Sequence, residues 1–219
     1  MLRMLAACES SGRVRDAFAA RGWDAWSCDL EPSESPGQHI QGDILTFYDL
    51  LIGHPFDLVV AFPPCTDLSL AGARFWPQKR ADGRQDRAAY FFMQMVYDSP
   101  SMHVAVENPR GDMTRRYRPP DQIVEPWWFG DPYAKKTCLW LRGLPELVAD
   151  KPVAPVGRVA TGGGSWRTDK AAERKAMNAY EDSEGRVNRA RVRSRTFPGF
   201  ARAMADQWGG YLEGIHGEA

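Results

Sequence analysis

Two short motifs place side chains of complementary reactivity at the ends of predicted strands. Pro-Pro-Cys at 63–65 follows one apolar run, and Glu-Asn at 107–108 follows another. A thiolate is a soft nucleophile that can add to an electron-poor ring carbon. A carboxyl group can hold or protonate a ring nitrogen while negative charge builds on the ring. The prolines fix the backbone beside the cysteine, because each sets φ and removes an N–H donor. Cys65 and Glu107 therefore predict covalent chemistry on a heterocycle.

The flanking sequence predicts the elements that hold these motifs. Short apolar runs bounded by turn residues predict strands, and apolar residues at helical spacing predict helices. The strands are expected over 4–8, 24–28, 56–62, 102–106 and 136–141, and the helices over 14–18, 86–97 and 198–212. Because strands alternate with helices through the first two thirds, we predict an α/β fold with a mostly parallel, doubly wound sheet. Chemistry collects at the carboxyl ends of the strands in such sheets.

The composition is typical of a globular protein with one domain. A chain of 219 residues with 43% hydrophobic residues is long enough for an α/β domain with a core. No apolar run reaches the roughly 18 residues of a membrane-spanning helix. The first run is soon broken by Glu9 and Arg13, unlike a signal peptide, so we expect a cytoplasmic protein. The four cysteines form no CxxC pair and the four histidines no spaced pair, so we predict neither disulfides nor a metal site.

Charge is unevenly distributed along the chain. Residues 151–205 hold 12 Lys and Arg against 5 Asp and Glu, although the net charge of the whole chain is zero. A basic segment beside an acidic body favours binding to a polyanion, and a solvated basic loop would have the same composition. We expect a catalytic core over 1–150, a basic insertion over 151–195 and a C-terminal helix over 196–219 that returns to the core.

With Pro-Pro-Cys and Glu-Asn in this order, the chain resembles the DNA cytosine C5-methyltransferase family, and more narrowly its short phage-encoded members. The resemblance implies a Rossmann-like S-adenosylmethionine-dependent methyltransferase fold with helices on both faces of the sheet. It implies that the cysteine attacks C6 of a flipped cytosine and that the glutamate holds N3. Pro109 departs from the family's valine, and a lysine within 130–137 stands in place of an arginine. The implied catalytic residues are Pro64, Cys65, Glu107, Asn108 and Lys135.

The family's cofactor elements are matched less closely but in the same order. Segment 7–12 stands where the family has a glycine-rich loop, and only one glycine remains. Asp29, or the alternative Glu31, would bind the ribose and Asp43 the adenine amino group, although both aspartates also fit turn-forming roles. Thr196 is expected to cap the terminal helix, which closes the cofactor pocket in the family. The implied S-adenosylmethionine site comprises Cys8, Glu9, Ser10, Gly12, Asp29, Leu30, Asp43, Ile44, Pro63 and Thr196.

The family's large target-recognition domain has only a short counterpart here. About 55 residues separate the last predicted strand from the terminal helix. The resemblance therefore implies DNA as partner, single-stranded or read with weak sequence specificity. Arginines would neutralise its phosphates and aromatic residues would stack on its bases. The candidate substrate-binding residues are Ser69, Arg74, Trp166 and Arg193.

Other functions stay open at this point. A short chain of this kind could act on a free pyrimidine nucleotide. The altered first loop could accept a cofactor that carries a group other than methyl. The chain could also be a catalytically inactive DNA-binding protein that keeps the scaffold, since Cys65 alone also fits a small buried apolar residue.

Overall fold

The computed structural model describes residues 1–50, 56–99, 101–155, 157–158 and 195–217. The strands in these ranges are β1 (Arg3–Ala7), β2 (Asp24–Asp29), β3 (His39–Gln41), β4 (Leu58–Ala61), β5 (His103–Pro109), β6 (Gln122–Val124), β7 (Tyr133–Ala134), β8 (Thr137–Arg142) and β9 (Gly157–Arg158). The α-helices are α1 (Arg13–Ala19), α2 (Ile44–Leu50), α3 (Trp76–Ala81), α4 (Arg84–Tyr97), α5 (Met113–Arg116), α6 (Pro198–Met204) and α7 (Gly210–Gly217). A π-helical turn over Ala205–Gly209 joins α6 to α7, and 3-10 helices cover Leu70–Phe75 and Pro126–Trp128.

Seven strands form one sheet in the order β3-β2-β1-β4-β5-β8-β6. The first five are parallel to their neighbours, whereas β8 runs antiparallel to both β5 and β6. β7 and β9 form a separate parallel pair. The central strands are continuous apolar runs because helices cover both faces of the sheet, and every residue of β4 is buried. This order places the carboxyl ends of β2, β1, β4 and β5 side by side.

Alternate residues of the central strands face opposite layers of helices. Met4 of β1 belongs to the core that contains Phe18 of α1 and Trp208 of the π-helical turn. Leu5, the next residue, belongs to the core that contains Phe92 of α4. Because successive side chains of β1 point to opposite faces of the sheet, this strand contributes to two separate cores. This arrangement confirms the predicted architecture, a Rossmann-like α/β fold with a mostly parallel sheet and helices on both faces.

Most predicted elements are present, but several of their ends differ. β1 ends at Ala7, so Cys8 lies beyond the strand and adopts a φ of 57°. The end of the strand predicted over 102–106 is wrong, because the corresponding strand β5 continues to Pro109. Glu107 and Asn108 lie inside β5, where they pair with the antiparallel strand β8. They still lie at the carboxyl end of β5, beyond the last residue paired with β4.

The terminal helix begins where predicted and extends past residue 212 through α7. The prediction that Thr196 caps this helix is wrong, because Phe197 occupies the N-cap position with an extended backbone (φ −68°, ψ 142°). Asp131 provides the cap instead, and its Oδ2 accepts the N–H of Phe200 at 3.1 Å. A carboxylate from a distant loop thus takes the role expected of the local hydroxyl.

Three further predictions concern membrane spans, metal sites and the division into domains. None of the helices within it is long and apolar enough to span a membrane. Within the same residues, no group of three or more His, Cys, Asp or Glu is placed to hold a metal ion. Most of the basic insertion expected over 151–195 lies outside the described residues, so the division into core and insertion stays a prediction.

Candidate active site

The carboxyl ends of β4 and β5 are held together by a buried amide. The two strands pair in parallel up to Ala61 and Val106. Beyond Ala61 the chain forms the Cys65 loop, residues 62–69. The buried Asn108 side chain donates a hydrogen bond of 2.7 Å from its Nδ2 to the carbonyl of Pro63. Asn108 therefore fixes the start of the loop onto β5.

Cys65 begins a tight turn that a buried lysine anchors. The Cys65 carbonyl accepts the N–H of Ser69 at 2.8 Å. From α3, the buried Lys79 donates from its Nζ to the Thr66 carbonyl at 2.6 Å and forms an ion pair of 2.9 Å with Asp67. A buried ammonium group needs such partners because it has lost its water. The turn after Cys65 is thus tied to α3.

A second backbone contact joins the Cys65 loop to the chain that follows β5. The N–H of Leu70 donates to the Arg110 carbonyl at 3.1 Å, and the N–H of Asp112 donates to the Leu68 carbonyl at 2.8 Å. Gly111 lies between these bonds, and a Cβ at this position would overlap the Leu68 carbonyl group. Gly111 was not among the site residues predicted from the sequence. Its only local signal is a glycine soon after the Glu-Asn motif, where a close backbone approach needs a residue without a side chain.

Three ionisable groups interact at this edge of the sheet. Burial raises the pKa of the Cys65 thiol and so does the Glu107 carboxylate, whereas the positive charges of Lys135 and Lys79 lower it. Burial also raises the pKa of the Glu107 carboxyl, while Lys135 and a hydrogen bond from Thr137 oppose the rise. A carboxyl group with a raised pKa keeps its proton more readily, which suits donation to a ring nitrogen. The structure thus brings Cys65, Glu107 and Lys135 into one cluster.

The charges of this cluster predict opposite changes in the reactivity of Cys65. Lys135→Met removes a positive charge and raises the pKa of the thiol, so alkylation by iodoacetamide should require a higher pH. Glu107→Gln removes a negative charge and should move the alkylation midpoint to lower pH. Peptide mass spectrometry of Cys65 alkylation from about pH 6 to about pH 10 measures both shifts. Midpoints that move in the same direction in the two variants would contradict the arrangement.

The loop after β1 is shaped by its own carboxyl group. Cys8 and Gly12 both have positive φ, 57° and 77°. The buried Glu9 carboxylate accepts the N–H of Gly12 at 3.0 Å and the hydroxyl of Ser11. Burial raises the pKa of Glu9, and these hydrogen bonds lower it. The predicted cofactor residues of this loop therefore lie together, but the Glu9 carboxylate is engaged within the loop.

Two predicted aspartates lie near Cys8 at the ends of neighbouring strands. Asp29 ends β2, and its Oδ1 accepts a backbone N–H two residues ahead at 2.9 Å. Asp43 precedes α2, and its Oδ1 makes the same kind of bond at 3.0 Å. Both fill a turn-forming role with one oxygen, and their charges add to burial in raising the pKa of the Cys8 thiol. Leu30 is exposed, whereas Ile44 is buried in the core on the α4 face.

Arg15, which was not predicted from the sequence, organises the loop after β2. Its guanidinium is fully buried and donates to the hydroxyls of Ser27, Ser33 and Ser35 at 3.1, 3.1 and 2.7 Å. Gly37 leaves room for it, because a Cβ there would lie 2.6 Å from the Arg15 Cζ. The available signal was an arginine beside Val14 on the apolar face of α1 together with a loop rich in serine.

The chain that enters α6 contacts the same region. Arg195 forms an ion pair of 2.6 Å with Glu34, and the backbone N–H of Glu34 donates to the Ser10 carbonyl at 2.8 Å. The Arg13 Nη1 donates to the Thr196 carbonyl at 3.0 Å. Thr196 was expected in the cofactor site. Its backbone carbonyl contacts Arg13, the first residue of α1.

The predicted substrate-binding residues lie in different settings. Ser69 is buried and pairs with Gly111 in an isolated backbone bridge. Arg74 is exposed and its guanidinium lies 4.5 Å from the centre of the Phe75 ring. Trp166 and Arg193 lie outside the described residues.

The fold and the cluster together define a Rossmann-like α/β protein with a thiol, a carboxyl group and an ammonium group at one edge of its sheet. No protein-family model and no curated protein matches the chain. One similar solved structure is described as a DNA modification methyltransferase encoded within a prophage of E. coli, with 15% identity, a TM-score of 0.45 and coverage of 64% of this chain and 46% of that one. Another is the methyltransferase EhMeth of Entamoeba histolytica, with 13% identity, a TM-score of 0.46 and coverage of 70% and 58%. The match thus spans about half the length of these two structures.

Proposed function

We propose that this protein transfers a methyl group to C5 of cytosine in DNA through a covalent adduct between Cys65 and C6. One observation carries the proposal: the Cys65 thiol and the Glu107 carboxyl group interact at the carboxyl ends of two adjacent parallel strands. The loop that holds the thiol is fixed by Asn108 and Lys79. A nucleophile and an acid held in fixed positions on one side of a sheet are what addition to a pyrimidine ring requires.

The residues of this chain would act in the following order. The Cys65 thiolate forms a bond to C6 while Glu107 gives a proton to N3, so the electron pair of the C5–C6 double bond becomes available at C5. Lys135 stabilises the thiolate and the negative charge on the ring. After C5 has been methylated, a water molecule takes the C5 proton, the electron pair of that bond restores the C5–C6 double bond, and the bond between sulfur and C6 breaks so that Cys65 leaves as the thiolate. Glu107 then recovers its proton from N3.

The described residues fit S-adenosylmethionine in the chemistry of their hydrogen-bond acceptors. Carboxylates of Asp29 and Asp43 accept hydrogen bonds, as ribose hydroxyls and an adenine amino group require. Their charges meet at the Cys8 thiol, beside a loop that Gly12 closes with a positive φ. When bound there, the cofactor would supply an electrophilic methyl group to C5. Asp29, Asp43 and the loop after β1 would hold it.

Trapping with 5-fluorocytosine tests the covalent route. Fluorine at C5 cannot leave as a proton does, so the enzyme should stay bonded to the methylated base. We expect a covalent complex of protein and DNA on a denaturing gel when a random-sequence duplex that contains 5-fluorocytosine is mixed with the protein and S-adenosylmethionine. Ordinary cytosine should give label in the DNA without a complex.

Two outcomes would contradict the proposal. Transfer of labelled methyl to ordinary DNA with no trapped complex would indicate chemistry at another atom, such as the exocyclic amine. Binding of DNA without any transfer of label would favour an inactive DNA-binding protein.

A further inference from the structure

Two arginines beside the Cys65 loop have no acidic partner among the described residues. Arg74 and Arg110 are exposed, and within the described part of the chain neither guanidinium makes an ion pair. They lie on two segments that are bonded to each other, since the N–H of Leu70 donates to the Arg110 carbonyl at 3.1 Å. Arg74 stacks on Phe75, whose side chain is 46% exposed. We call Arg74, Phe75 and Arg110 the basic-aromatic surface.

Three neighbouring arginines differ from these two. Arg80 lies 3.7 Å from Asp112, Arg84 lies 2.7 Å from Asp82, and Arg116 lies 2.7 Å from Asp112. Acidic residues therefore neutralise these three arginines. Among the described residues, the charges of Arg74 and Arg110 have no acidic partner, and an exposed aromatic ring lies directly beside Arg74.

We propose that the basic-aromatic surface binds the DNA strand that carries the target cytosine. Arg74 and Arg110 contact phosphates next to that base, and Phe75 stacks on a neighbouring base. This inference rests on the proposed function. Phe75 and Arg110 are not among the substrate-binding residues that were predicted from the sequence. Guanidinium groups suit phosphate oxygens, and an exposed aromatic ring accepts any base on its face.

The position of this surface is fixed relative to Cys65. The backbone N–H of Asp112 donates to the Leu68 carbonyl at 2.8 Å, and the Lys79 Nζ donates to the Thr66 carbonyl at 2.6 Å. These contacts join the loop that carries the thiol to the segments that carry the arginines. A strand bound on the arginines would therefore keep a constant register with the thiol, which a nucleophilic attack requires.

Equilibrium binding of a fluorescein-labelled, cytosine-containing duplex tests the surface without relying on turnover. We expect Arg74→Gln and Arg110→Gln each to weaken binding about fivefold at 0.1 M salt and to reduce the slope of log affinity against log salt by about 0.7 to 0.9. Phe75→Ala should weaken binding about fivefold with an unchanged slope, because it removes stacking and not charge. Thermal unfolding checks that each variant is folded.

Arg21→Gln is the matched control, since Arg21 lies near the amino-terminal edge of the sheet and is paired with Asp206 and Glu213. It removes one positive charge and should leave affinity and slope unchanged. Arginine variants that bind like wild type, or that lose no more affinity than the Arg21 variant, would overturn the surface. Wild-type protein that does not bind DNA would overturn it too. Methyl transfer measured in parallel separates these results from failure of the proposed function, which is decided by wild-type protein alone.

Discussion

Replacement of Cys65 by alanine should abolish methyl transfer, with a loss in rate on the order of 10⁴-fold or more. Without the thiolate no bond forms at C6, and C5 of cytosine stays unreactive toward the methyl donor. Binding of S-adenosylmethionine should stay within about twofold of wild type, because Asp29, Asp43 and the loop after β1, which are proposed to hold it, lie at the ends of β1, β2 and β3, whereas Cys65 lies beyond β4. Single-turnover transfer of labelled methyl and calorimetric binding of the cofactor measure the two effects separately.

Cys138 provides a matched control for this substitution. Its thiol is fully buried in β8, and burial followed by the Glu107 carboxylate raises its pKa to about 11. Cys138→Ala should therefore retain transfer and lose about 1 kcal/mol of stability through a small cavity. A Cys65→Ala protein that keeps more than about a tenth of the wild-type rate would refute the nucleophile assignment. An equal loss in a folded Cys138→Ala protein would move the assignment to β8.

The parts of the fold that follow from local pattern were predictable from the sequence. β4 is a continuous apolar run with every residue buried, and its type follows from composition alone. The end of β5 was not predictable, because Glu107 and Asn108 are polar and read locally as the end of a strand. Pairing with β8, which arrives from about 30 residues later in the chain, extends the strand through them. The cap of α6 likewise comes from Asp131, and no pattern around Thr196 contains it.

The candidate site divides in the same way. Cys65 and Glu107 could be selected because their chemistry and their places after apolar runs are visible in the sequence. The residues that fix them could not, since Lys79 and Gly111 act through backbone groups that come close only in the folded chain. Asn108 was selected from the sequence, but as a catalytic residue. In the structure its side-chain amide donates to the Pro63 carbonyl and so anchors the loop.

Substitution of Gly111 by alanine should give the largest structural effect of any single methyl group added near the site. The new Cβ would overlap the Leu68 carbonyl oxygen and lie 2.8 Å from its carbon and 2.9 Å from the Ser69 Cα. These are backbone atoms, which cannot turn aside as a flexible side chain can. Relief requires the chain to move away and break the bonds of Leu70 to Arg110 and of Asp112 to Leu68. We expect a loss of about 3 kcal/mol in the free energy of unfolding.

Gly214→Ala is the control for this substitution, because a Cβ at Gly214 meets no atom within 4 Å and the residue lies in α7. It should be neutral or stabilise the protein by about 0.5 to 1 kcal/mol, as glycine is a poor helix former. Denaturant unfolding of both variants measures the difference. A Gly111→Ala protein as stable as wild type would show that the two backbones do not approach as described.

The same substitution should also separate transfer from cofactor binding. Any folded Gly111→Ala protein has its Cys65 loop displaced from the chain after β5, while the loop after β1 and the ends of β2 and β3 are untouched. Transfer should therefore fall by about 100-fold, since misplacement of a reacting group by about 1 Å has an effect of this size. The affinity for S-adenosylmethionine should change by less than about threefold. Parallel losses in transfer and cofactor affinity would instead mean that Gly111 supports the whole sheet edge and not the position of the thiol.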